Sequence, residues 1–116
     1  MKKVKITVIK CGLNQDLIDK YVQGNIDPCS YNIEGMTFIS NGWQKPFGLC
    51  DNAWKSMMEY VFTLSHGGGN FYNCRKNSNS FIASCNDGLR PVCYLLEVMD
   101  EEVTELFENQ LLIKKL

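Results

Sequence analysis

The sequence predicts an α+β domain: a small, mostly antiparallel sheet packed against one main helix at about 51–65, with an accessory C-terminal helix. Three features predict it. The chain opens on a segment of period two, holds one long segment of helical period closed by three glycines, and carries an Asp-Gly turn between two β-prone runs. At 116 residues, one domain over 1–116 is expected, with 100–116 as an appended segment.

The first strand is predicted at about 3–9, where Val4, Ile6 and Val8 alternate with Lys5 and Thr7. A short helix follows at 14–23, with Asn14 as cap, Leu17, Ile18 and Tyr21 on one face, and Gly24 as stop. Gly35 to Ser40 reads as a second strand. Asn41-Gly42 reads as a tight turn, and Trp43 to Lys45 as a short returning strand. The main helix has Trp54, Met57, Met58, Val61 and Leu64 or Ser65 on its core face, with Asp51 as N-cap and Gly67 closing it. Residues 70–78 read as a polar loop. Ser80–Cys85 and Arg90–Leu96 then form a hairpin around Asp87-Gly88, which sets Cys85 opposite Arg90 and Ala83 opposite Val92. From Asp100 the glutamates suit the positive end of a helix, and Val103, Leu106, Phe107 and Leu111 give it an apolar face.

Twelve basic and thirteen acidic residues leave a formal charge of −1, so there is no general electrostatic pull toward nucleic acid or anionic lipid. No apolar run reaches the ~20 residues of a membrane span. The charged, alternating start is a strand pattern and not a signal-peptide pattern, which predicts a cytoplasmic protein. His66-Gly67-Gly68-Gly69 spells an oxyanion-loop motif. It lacks the Gly-x-Ser-x-Gly partner, and helix termination explains the glycines.

The six cysteines, Cys11, Cys29, Cys50, Cys74, Cys85 and Cys93, include no Cys-x-x-Cys pair. In a reducing compartment the plain expectation is six buried small hydrophobes. Three of them differ in setting, because each stands at an element end. Cys29 follows Asp27-Pro28, Cys50 precedes the main helix, and Cys85 ends a strand. A helix N-terminus favours a thiolate at Cys50, while the charge of Asp51 opposes it. In the hairpin register above, Arg90 favours a thiolate at Cys85, or pairs with Asp87 instead.

Four stretches resemble a family of small bacterial and archaeal proteins that has no known activity. They are Lys3–Val8; Pro28-Cys29 with Glu34-Gly35 and Phe38-Ile39; Pro46-Phe47-Gly48-Leu49-Cys50 with Ala53-Trp54; and Cys85-Asn86-Asp87-Gly88-Leu89-Arg90-Pro91-Val92. The resemblance implies cysteine at 29, 50 and 85, and in many members a second cysteine where this chain has Ser84.

Two classes of function follow. One is a cysteine-centred site. In it, Cys29, Cys50 and Cys85 hold a soft metal or an iron–sulfur cluster, or one thiol is reactive, with Cys50, Cys85 and Arg90 as catalytic candidates. The other is a non-catalytic binding or self-assembly module, with inert cysteines and homo-oligomerisation through 100–116.

Overall fold

A computed structural model describes residues 1–104. It contains a four-stranded antiparallel sheet and two α-helices, an α+β fold. The elements are β1 (Lys2–Cys11), α1 (Gln15–Tyr21), β2 (Thr37–Ser40), α2 (Asp51–Ser65), a 3₁₀ turn at Phe71–Asn73, β3 (Ser80–Ser84) and β4 (Val92–Glu102). The strand order is β2-β1-β4-β3, so the first and last strands form the centre.

Alternation along the strands builds the core. Val4, Ile6 and Val8 of β1 share one face with Val92, Tyr94 and Leu96 of β4, and all six are essentially inaccessible. Against that face α2 presents Ala53, Met57, Val61 and Leu64, all buried. The predicted helical stripe is off by part of a turn. Ala53 takes a central place, Trp54 is half-buried, and Met58 is 44% exposed. Gly67 closes α2 with φ +92°, and the Gly68 amide reaches back to the Thr63 carbonyl at 2.9 Å, as a left-handed glycine closure requires.

Six expectations are corrected. The short helix runs only over Gln15–Tyr21 and buries Ile18 alone. The Asn14 side chain makes no cap bond and donates instead to the Gly88 carbonyl at 2.6 Å. No strand forms at 43–45, because Asn41 Oδ1 accepts the amides of Trp43 (3.1 Å) and Gln44 (2.9 Å), donors a returning strand would need. Asp51 is not the cap of α2. Cys50 is, and the Asp51 carboxylate pairs with Lys45 at 2.6 Å.

The β3–β4 connection is also longer than a two-residue hairpin. Ala83 pairs with Tyr94 and Ser84 with Cys93, so 85–91 is loop, and Cys85 meets Val92 rather than Arg90. Pro91 has no amide to donate, which suits a place outside the ladder. Finally, 100–102 is strand, not helix. The acidic run lies antiparallel to the basic start of β1, with Lys2–Asp100 at 3.2 Å, Lys3–Glu101 at 2.9 Å and the Met1 amine–Glu102 at 3.3 Å. The rest of the expected C-terminal helix lies outside the described residues. Among the described residues, no helix is long and apolar enough to cross a membrane.

Candidate functional site

Cys29, Cys50 and Cys85 come from three different connections and line one cavity of about 100 Å³, together with Asn32, Asp87 and Arg90. Each is placed by a local device. Leu49 is buried in the core, and its amide closes a turn on the Pro46 carbonyl (3.2 Å) through Gly48 at φ +85°. That turn delivers Cys50 to the start of α2, where its carbonyl accepts the first helical bond from Trp54 at 3.0 Å. Cys85 donates its amide to the Val92 carbonyl at 2.9 Å, and the Val92 amide points back at Cys85 Sγ at 3.2 Å. The sulfur thus takes the place of a carbonyl where the ladder ends.

The Cys29 loop is pinned to the end of β1. The Gly35 amide donates to the Val8 carbonyl at 2.8 Å, and the Cys11 amide to Glu34 Oε1 at 3.1 Å. Asn32 Nδ2 lies 3.7 Å from Cys29 Sγ. Partial burial pushes the Cys29 thiol up. The backbone amides of Tyr31 and Asn32, the Asn32 side chain and the charge of Arg90 outweigh it and hold this thiol below its ordinary value. Cys11, whose thiol points at the Asn32 carbonyl at 3.5 Å, moves the other way. Desolvation raises it first, and Glu34, Cys29 and Cys85 add to the rise.

Arg90 lines the cavity but does not stand across from Cys85 in a ladder. Its Nε donates to Asp87 Oδ2 at 3.0 Å, and Asp87 Oδ1 accepts the amides of Leu89 (2.9 Å) and Arg90 (3.0 Å). Those amide bonds come first in holding the Asp87 carboxyl below the usual carboxylate range. Asp51 is fully exposed beside Cys50 and engaged with Lys45.

Two residues at this end of the core are not among the candidates the sequence offers. Asn32 is only 6% exposed, and its Oδ1 has no hydrogen-bond partner; Tyr94 is fully buried, and its hydroxyl has none either. An unpaired buried polar atom costs about 1–3 kcal/mol. Burial raises the Tyr94 hydroxyl well above its ordinary value, and the charges of Cys85, Cys50, Cys29 and Cys11 add to the rise. An inward Tyr in a β-prone run is a readable signal for a buried hydroxyl. Asn32 has only its spacing, three residues after Cys29.

None of the six cysteines is fully buried, which corrects the expectation of buried small hydrophobes. Cys74 is exposed on the loop after the 3₁₀ turn, and Cys93 lies opposite Ser84 on the sheet face away from α2. Among the described residues, no three His, Cys, Asp or Glu side chains are grouped so as to hold one metal ion. A larger hollow of about 410 Å³ beside β2 is lined by Lys3, Ile39, Asn41, Gln44, Lys45 and Pro46 and carries no thiol. Comparison of the chain with protein-family models, with curated proteins and with solved structures finds no match.

Proposed function

We propose that this is a reactive-thiol protein in which Cys29 is the nucleophilic or redox centre. Cys50 and Cys85 are its neighbouring thiols, and Arg90 supplies positive charge. The observation that carries the reading is the placing of the Cys29 sulfur at the cavity wall, 3.7 Å from the Asn32 Nδ2 donor and with Arg90 on the same wall. The thiolate is the reacting form of a cysteine, and such donors stabilise it over the thiol. A protein working through a free thiol belongs in a reducing compartment, so we assign it to the cytoplasm.

The test is alkylation with iodoacetamide at each cysteine, followed by mass spectrometry across pH. Cys29 is expected to react faster than the same cysteine in the unfolded chain near pH 7, with its half-maximal rate at lower pH. The sign follows from the direction of its shift: a thiol held low keeps more thiolate as pH falls. Uniformly slow alkylation of all six removes the reading in favour of a binding module with inert cysteines. That module would associate through 100–116, of which 100–102 lie in the chain's own sheet with exposed side chains. Elemental analysis of anaerobically purified protein separates the remaining reading. Stoichiometric zinc, copper or iron lost on Cys29→Ser would replace the reactive thiol by metal or cluster ligation.

A further inference from the structure

The cavity at Cys29 is small, and Asn32, one of the residues that line it, carries a buried Oδ1 with no hydrogen-bond partner. Its volume, about 100 Å³, is room for a handful of waters and far below the ~300–1,000 Å³ of pockets for cofactors or drug-sized ligands. The occupant therefore has only a few heavy atoms. On the wall, Asn32 directs its Nδ2 at Cys29 and leaves a buried Oδ1 that needs a donor. Arg90, also on the wall, carries a guanidinium whose Nε is held by the Asp87 carboxylate on the same wall. Two further thiols, Cys50 and Cys85, stand at the same cavity. A fitting occupant donates one hydrogen bond, accepts another, and takes two electrons from a pair of thiols.

We propose that the cavity admits a small hydroperoxide, with hydrogen peroxide as the simplest, and that Cys29 reduces it. The inference rests on the reactive-thiol reading above. The Cys29 thiolate attacks one peroxide oxygen, so an S–O bond forms as the O–O bond breaks, and two electrons pass from sulfur to the peroxide. The second oxygen leaves as hydroxide, stabilised by Arg90, and takes a solvent proton to become water. Asn32 Oδ1 accepts the hydrogen bond of the attacked hydroxyl and so positions it. Cys29 is now a sulfenic acid. Cys50 or Cys85, as thiolate, attacks its sulfur, an S–S bond forms, and hydroxide departs with the proton that the attacking thiol released. Two thiols and one hydrogen peroxide become one disulfide and two waters.

The experiment uses the full chain, fully reduced, in a single turnover with hydrogen peroxide. The readout is the ratio of peroxide to iodoacetamide rate constants at Cys29, divided by the same ratio for free cysteine. Division removes the thiolate fraction and leaves what the cavity does for peroxide alone. The ratio is expected to exceed about tenfold, the ~1.4 kcal/mol of one well-placed hydrogen bond. Peptide mapping is expected to find Cys29 joined to Cys50 or Cys85. Asn32→Leu is expected to bring the ratio to about one, and the wild-type ratio stands by itself if that variant does not fold. A wild-type ratio near one with fast alkylation overturns the peroxide inference and leaves the reactive-thiol reading intact. Slow reaction with both reagents removes both, and first oxidation at another cysteine overturns the inference.

Discussion

Asp87 closes the loop that carries Cys85 and Arg90. One carboxylate accepts the Leu89 and Arg90 amides and the Arg90 Nε, all at about 3.0 Å or less. Asp87→Asn keeps the shape and removes the charge, with an expected cost of about 1 kcal/mol at pH 7 after allowance for partial exposure. The pH dependence has a definite sign. The folded carboxyl is held low, so its contribution is complete above its unfolded value near 4 and is lost as pH falls through the folded value. Urea midpoints of the two proteins should differ at pH 7 and converge in acid; a gap that persists below pH ~2 would refute the assignment. At this scale the sequence was informative about Cys29, Cys50 and Cys85, because standing at an element end is a local property. It says nothing of Asn32 Oδ1 or of the Tyr94 hydroxyl, since an unpaired buried atom exists only once distant segments have met. Arg90 shows the same limit. Its pairing with Asp87 was open in the sequence, and the loop geometry decides it.

Among the elements, the turn after β2 is the most constrained. Gly42 sits at φ +98°, and a Cβ there would fall 2.6 Å from the Cβ of Ser65. Ser65 cannot yield freely, because its hydroxyl donates to the Lys2 carbonyl at 2.6 Å and thereby ties the end of α2 to β1. Gly42→Ala is therefore expected to cost about 2–4 kcal/mol, combining a left-handed backbone with overpacking. Gly67→Ala is the control, with a similar φ of +92° and nothing within 4 Å of the added methyl, and should cost only about 1–2 kcal/mol. Equal losses in chemical denaturation would show that backbone conformation alone sets the value at 42. β1 and α2 were readable nearly to their ends because their periodicity is long and uninterrupted. The returning strand at 43–45 and the two-residue hairpin were not. In both places an Asn or Asp side chain captures the backbone amides, which a pattern of apolar residues does not register.

For the whole molecule, the decisive feature is that the ends of the described chain lie side by side. β1 and β4 are the central pair, and the basic start lies along an acidic finish whose charge pattern predicts a helix. Asp100, Glu101 and Glu102 fit a helix N-terminus by charge, but the same charges face Lys2, Lys3 and the Met1 amine across a strand pair. The exposed ion pairs are each worth under about 1 kcal/mol and cannot by themselves hold the ends together. Val103 can. It is 2% exposed, and its amide donates to the Met1 carbonyl at 2.9 Å. Burying one valine contributes about 1.5–3 kcal/mol, and the hydrogen bond about 1 more. Truncation to 1–104 keeps this lock, whereas truncation to 1–102 removes it and leaves every strand residue in place. The shorter form is expected to be less stable than the longer by about 2.5–4 kcal/mol in urea, with hydrogen exchange accelerated at the β1 start before the α2 core. Because both forms lack 105–116, the comparison isolates Val103 and Thr104, of which only Val103 is buried. If the two unfold at the same midpoint, the ends are held by the β1–β4 ladder alone.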